Sequence, residues 1–383
     1  MTFDKFSRRQ FMKAGGIGLL GAFAFRADAW SQDRVLYVGT YTSGKSEGIY
    51  VYGFSLQTGV LTRLESTKTS NPSFVTTDRS ARYLYAVNEV GEYEGKPGGY
   101  VSAFKMDRPR NLVFLNQQAT HGADPCHLTV DSKRKVLLVA NYTGGNITVL
   151  PIRPDGSLAP ASDLKQHEGS GIKEQQKGPH AHCIILDRFE RYALAADLGI
   201  DKVMVYRFNR AAGKLVPAKQ PFAELQAGAG PRHLTFHPTG KFLYVINELD
   251  SSMAAFKYNE LNGTLTHIDT VSTLPADFSG ASFCADVHVS PSGKFLYGSN
   301  RGHNSIVVFE IDPRTGKLRL VEHVSTEGDW PRNFTIDPAG KFLLVANQRS
   351  DNVVIFNIDQ HTGRLTPTGH NEQIPSPVCL KFL

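Results

Sequence analysis

Short apolar runs, some alternating with polar residues and some continuous, are broken at short intervals by Gly, Pro, Asn and Asp along most of this chain. A period near two, bounded by turn residues, predicts strands rather than helices. One phrase, "PRHLTFHPTGKFLYVINE" from Pro231, returns as "PRNFTIDPAGKFLLVANQ" from Pro331, and related phrases open at Pro72, Pro125, His182 and Ala285. Aligned on Ser73, Cys126, His182, Arg232, Ala285 and Arg332, they recur at gaps of 53, 56, 50, 53 and 47 residues. A unit of roughly 50 residues is the length of a four-stranded propeller blade.

Within a unit the order is constant. A half-apolar strand is followed by a turn such as "HPTGK", a strongly apolar strand such as "FLYVIN", a third strand such as "NVVIFNID", a turn such as "QHTGR" and a fourth strand. Six full units cover residues 72 to about 376. The ends supply a seventh: "PVCLKFL" is a first strand with nothing after it, and "RVLYVGTY" from Arg34 is a second strand with nothing before it. Joining them would leave no open sheet edge. The expected fold is therefore all-β: a seven-bladed β-propeller with four antiparallel strands per blade, closed by a blade shared between the N- and C-termini. A β-helix would need shorter repeats, and an open array would not split its terminal unit.

Composition is that of a soluble globular protein, with 41% hydrophobic and 20% charged residues in 383. The formal charge is +6, but Lys5, Arg8, Arg9, Lys13 and Arg26 against Asp4 and Asp28 place half of that excess in the first 29 residues. The small remainder, with no Lys/Arg run, argues against a nucleic-acid partner. Residues 1–29 themselves match a twin-arginine export signal: "SRRQFMK", an uncharged stretch from Ala14 to Phe25, and the small-residue site "ADA". The stretch is too short to span a bilayer, so no membrane anchor is expected. A mature domain of residues 30–383, exported already folded through the Tat machinery, follows; in a Gram-negative cell its destination is the periplasm. A monomer is expected. An oxidising compartment permits disulfides, yet Cys126, Cys183, Cys284 and Cys379 all fall on inner strands without a CxxC, the pattern of small buried hydrophobes.

Propeller geometry converts the alignment into a map. The start of each innermost strand and the end of the second lie on one face, so these positions ring one mouth of the central channel. Strand starts contribute His182, Arg232 and Arg332, beside Ser73, Cys126, Ala285 and Val378. Second-strand ends contribute Glu89, Tyr142, Glu248, Arg301 and Gln348, beside Tyr41 and Leu198. The row just before these ends (Thr40, Asn88, Asn141, Asp197, Asn247, Asn300, Asn347) suits turns and backbone satisfaction and reads as structural. The charged ring differs from blade to blade, which a scaffold does not require; mixed charges converging on a concave mouth suit a small anionic ligand. Pairing between blades to hold a polar channel is the competing structural explanation. His180 and His182, in "GPHAHC", both approach the ring, and residues 167–178 form a long polar loop on the same face that suits either a lid or an ordinary surface connection. There is no GxSxG, no HExxH, no phosphate-cradling glycine loop and no zinc spacing, so neither a cofactor nor a metal site is expected.

With "GPHAHC", "GPRHLTFHPTGKFLYVINE", "SNRGHNSI" and "VANYTGGNITV", the chain resembles the lactonase family of seven-bladed propellers, across residues 34–383. That family includes propeller-type 6-phosphogluconolactonases and fungal carboxy-cis,cis-muconate cyclases. The resemblance implies a carboxylic ester hydrolase acting on a sugar-derived, anionic lactone or sugar acid. It also implies catalytic roles for His182 (or His180), Arg232, Glu248 and Arg301. Glu89, Tyr142, Arg332 and His180 are the ring neighbours expected to bind substrate. The implied chemistry is metal-free: Glu248 or His182 as general base, one arginine for the oxyanion and another for an anionic substituent. A lactone cycloisomerase would use the same groups for proton transfer, and a non-catalytic periplasmic propeller would bind a ligand or a protein there without turnover.

Overall fold

The computed structural model describes residues 33–107 and 111–383; the export signal expected over residues 1–29 lies outside them. Seven four-stranded antiparallel sheets follow one another along the chain. Blade 1 is the composite one: its innermost strand is Pro377–Phe382, paired with Asp33–Thr40, then Gly48–Ser55 and Leu61–Lys68. Leu36 pairs with Phe382 and Val38 with Leu380, so the two termini are hydrogen-bonded into one sheet. Blades 2 to 7 are consecutive, opening at Val75, Pro125, Ala181, Pro231, Phe283 and Pro331.

The apolar pattern of each strand matches its distance from the channel. In blade 5 the second strand, Phe242–Asn247, is buried at every position because a neighbouring blade packs on each face. The third, Ser252–Asn259, is exposed only at alternate residues near its end, and the fourth, Thr264–Ser272, is buried at one position alone. The hydrophobic core is accordingly seven wedges between adjacent blades rather than one centre. In one wedge Phe242, Tyr244 and Ile246 of blade 5 meet Leu296, Val307 and Phe309 of blade 6. The outer turn of blade 6 nests on the same wedge. Gly316 (φ +74) leaves no room for a side chain, since a Cβ would fall 2.5 Å from the Phe242 ring, and its carbonyl accepts from Tyr244 Oη at 3.1 Å.

The innermost strands share one irregularity that positions the site. Pro231 pairs with Asn247 and His233 with Ile246, so Arg232 bulges out of the ladder. The same register shift leaves Cys126, His182 and Arg332 unpaired in blades 3, 4 and 7, and Val378 in blade 1. In blade 6 the shift spans Ala285 and Asp286. A bulge re-aims its extra side chain and interrupts the ladder. In blades 3, 4 and 7 it turns Cys126, His182 and Arg332 toward the mouth of the channel.

Candidate active site

A cavity of about 210 Å³ at this mouth is lined by Tyr41, Glu89, Cys126, Tyr142, His182, Glu248, Arg301 and Arg332. Six of the eight expected site residues therefore line one space, contributed by six blades. The two others sit close by but not on its wall. Arg232 is 2% exposed and lies beneath Glu248, with Nη1 donating to the Ala285 carbonyl at 2.6 Å. His180 stacks on Tyr142 with ring centroids 4.5 Å apart, and its Nδ1 faces the Tyr142 carbonyl at 3.0 Å. Of the histidine pair, His182 is the one in the cavity, because the bulge points it inward while His180 precedes the strand.

Two ionic groupings divide the mouth. Glu248 Oε2 stands 2.9 Å from Arg232 Nε and 2.8 Å from Arg301 Nη2. The Arg232 contact is one of charge rather than a well-angled hydrogen bond, since its Nε finds no hydrogen-bond partner. Arg301 is itself anchored: Nε and Nη2 donate to the Phe283 and Cys284 carbonyls, and its guanidinium lies 5.3 Å over the Trp330 ring. On the other side Tyr41 Oη donates to Glu89 Oε1 at 2.8 Å, and Arg332 Nη2 approaches the same oxygen at 3.8 Å while sitting over the Tyr41 ring. Arg332 thus pairs across to blade 2 and not with Gln348 of its own blade.

Electrostatics follow from burial. Loss of solvation opposes ionisation of Glu248, but Arg301 and Arg232 outweigh it and hold the carboxyl below its usual range. Burial draws Arg301 down to about 10, which leaves it charged at neutral pH. Burial, and then Arg232, push His182 well below the ordinary imidazole range, so it is neutral. Three arginines face two carboxylates, and the mouth carries one net positive charge. Around it His182 Nδ1, Glu89 Oε2, Ser73 Oγ and Gln348 Oε1 are buried without a hydrogen-bond partner within the protein. Such groups are costly to leave unmade and mark where a ligand's polar atoms would fit.

The supporting shell is made of groups outside the cavity. Three members of the Asn/Asp row tie a blade to the end of the preceding one: Asn88 Nδ2 donates to Thr69 Oγ1 at 2.8 Å, Asn300 Nδ2 to the Thr273 carbonyl at 2.9 Å and Asn347 Nδ2 to the Thr326 carbonyl at 3.0 Å. The 167–178 loop is pinned, not hinged. His167 Nδ1 lies 2.6 Å from Asp197 Oδ2, and the buried Gln176 donates to Leu198 O and Asp201 Oδ1. No residue of this loop lines the cavity. All four cysteines are buried and free, and burial raises the Cys126 thiol well above its ordinary range. Among the described residues no three histidine, cysteine, aspartate or glutamate side chains converge in a way that could hold a metal ion. Tyr41 and Trp330 were missed as site residues. Tyr41 stands at a ring position in blade 1, a signal the sequence did carry; Trp330 lies one residue before the aligned phrase.

Comparison with known proteins identifies the family. Residues 35–382 match the family described as "Lactonase, 7-bladed beta-propeller". The chain is 40% identical over 349 residues to the 6-phosphogluconolactonase of Bacillus subtilis, covering 91% of this chain and 97% of that one. It is 37% identical to the 6-phosphogluconolactonase of Formosa agariphila, over 79% of this chain and 86% of the relative. The solved structure of the periplasmic gluconolactonase of Pseudomonas aeruginosa superposes with a TM-score of 0.87 at 37% identity, covering 92% of this chain and 99% of that one.

Proposed function

The chain belongs to the seven-bladed β-propeller lactonase family, and we propose that it hydrolyses a sugar-derived lactone of the gluconolactone or 6-phosphogluconolactone kind at the mouth built by His182, Glu248, Arg301 and Arg332. One observation carries the site assignment: a cavity whose two lining arginines and two lining glutamates are backed by the buried Arg232, and whose wall holds buried polar atoms unpaired within the protein. That combination suits an anionic, hydroxyl-rich ligand.

In this scheme water adds to the lactone carbonyl and His182 takes its proton. Burial first, and then the charges of Arg232 and Arg332, make the free imidazole a poor base; a bound anion offsets the arginine charges and shifts it upward. Arg301, held by two backbone carbonyls and Trp330, faces the developing oxyanion, where a fixed positive charge acts most strongly out of water. The ring C–O bond then breaks, and the proton returns from His182 to the departing alkoxide, giving the open hydroxy acid. Arg332, whose pairing with Glu89 is loose at 3.8 Å, takes a phosphate or carboxylate substituent. Arg232 is a positioning residue: from below it fixes Glu248, which in turn holds Arg301.

Export through the Tat pathway belongs to the same proposal. It is supported by the three signal regions in order within residues 1–29 and by the periplasmic setting of the Pseudomonas structure. The test of activity is a panel of gluconolactone, its 6-phosphate and muconolactone with the mature protein, with and without a chelator, products identified by NMR. Hydroxy-acid formation unaffected by chelator is expected. Turnover of muconolactone alone, or activity lost to chelator, would overturn the scheme.

A further inference from the structure

The channel holds a second cavity, of about 240 Å³, at the other end of the innermost strands. Its upper wall includes His127, His233 and Asn333, each the residue after a bulge, and Asp286 of the blade 6 bulge; the His233 ring, 5.3 Å from that of His182, lies between the two spaces. Two residues further along the strands the lining is Thr76, Thr129, Thr235 and Thr335, joined by His288 and Lys381.

The cavity's one carboxylate, Asp286, and its one ammonium, Lys381, do not pair with each other. Asp286 is fully engaged: His233 Nδ1 lies 2.7 Å from Oδ1, His288 Nε2 3.1 Å from Oδ2, and the Val287 amide donates to Oδ1 at 2.9 Å. Asn333 Nδ2 donates to it as well. Lys381 has no ion-pair or hydrogen-bond partner among the described residues, and loss of solvation lowers its pKa. The four threonine side chains likewise make no hydrogen bonds within the described chain. An ammonium in a partly dry channel with no carboxylate in direct contact is costly, and a bound anion relieves that cost. Four threonine hydroxyls from four blades line the same cavity and supply donors, where a channel built only for packing would place apolar side chains.

We propose that this far cavity is a second binding site, taking a small oxyanion, phosphate or carboxylate, between the Lys381 ammonium and the threonine hydroxyls. It stands on residues separate from the catalytic mouth and does not depend on the lactonase reading.

Calorimetric titration of the mature protein with inorganic phosphate, and separately with gluconate, tests it. Phosphate binding alone marks a free-phosphate site; binding of gluconate as well marks a site for sugar acids, and both support the proposal. Lys381→Met is expected to weaken this binding at least tenfold, leave lactone turnover unchanged and keep or raise the melting temperature, which verifies the fold. Thr235→Val/Thr335→Val, with the ammonium intact, should weaken binding severalfold, whereas Arg332→Met at the mouth should spare it. Wild-type anion binding in Lys381→Met, or loss of all anion binding in Arg332→Met, would overturn the proposal.

Discussion

Arg232 and Glu248 stand sixteen residues apart in the chain, yet Nε of one lies 2.9 Å from Oε2 of the other at the end of one antiparallel strand pair. The bulge at Arg232 aims its guanidinium beneath the glutamate, and Arg301 of the next blade closes on the same oxygen at 2.8 Å. The glutamate is thus the counter-charge on which two buried arginines depend.

Glu248→Gln should therefore destabilise the fold by about 3 kcal/mol, because it leaves buried guanidinium charge uncompensated. Adding Arg232→Met should recover part of that stability without restoring turnover. Denaturant unfolding of the single and double variants, alongside steady-state kinetics, checks both halves.

His182→Gln should lower kcat by about 100-fold or more with little change in KM, the loss expected for a general base. His180→Ala should keep kcat within a few-fold, since that ring lies outside the cavity and only stacks on Tyr142. Equal losses in the two variants would assign the base wrongly.

Arg332→Met separates substrates by charge. KM for a phosphorylated lactone should rise roughly 10- to 100-fold, the worth of a charge-assisted hydrogen bond, while KM for the neutral lactone stays near its wild-type value. A parallel assay of the two lactones decides it.

Stability should decline as pH falls below about 6.5. Burial holds His127 and His182 well below the ordinary imidazole range and His233 at about 4, so the unfolded chain takes up protons first. The loss continues toward pH 4. Asp286 is not its source, since its carboxyl titrates below its usual value of 3.8 and destabilises only in stronger acid. Melting temperatures measured between pH 7.5 and 4.5 should fall progressively; a flat profile down to pH 5 would contradict this account.

Replacing Arg8 and Arg9 together by lysine should leave the full-length protein in the cytoplasm, with residues 1–29 uncleaved. Cell fractionation and the mass of the recovered protein report the outcome.

The architecture was legible in the chain because its causes are local and repeated. Alternation in "PRHLTF", the continuous run "FLYVIN" and the TGK turns each reflect neighbours a few residues away, and seven similar units must close to hide their edges. Arg232 meeting Glu248 also followed from antiparallel return within one blade. Which side chains share the mouth was decided by distances between blades, which no local pattern records. Arg332 reaches Glu89 of blade 2 and leaves Gln348 unpaired, Arg301 leans on Trp330, and Tyr41 joins from the composite blade. Likewise the bulge, invisible as a pattern of apolar residues, is what turns His182 into the cavity and leaves His180 outside it. The sequence by itself determined the blades and the ring of candidate residues. Only closure of the propeller, through the angle and spacing at which seven packed wedges set their strands, decided which of those residues meet and how their charges balance.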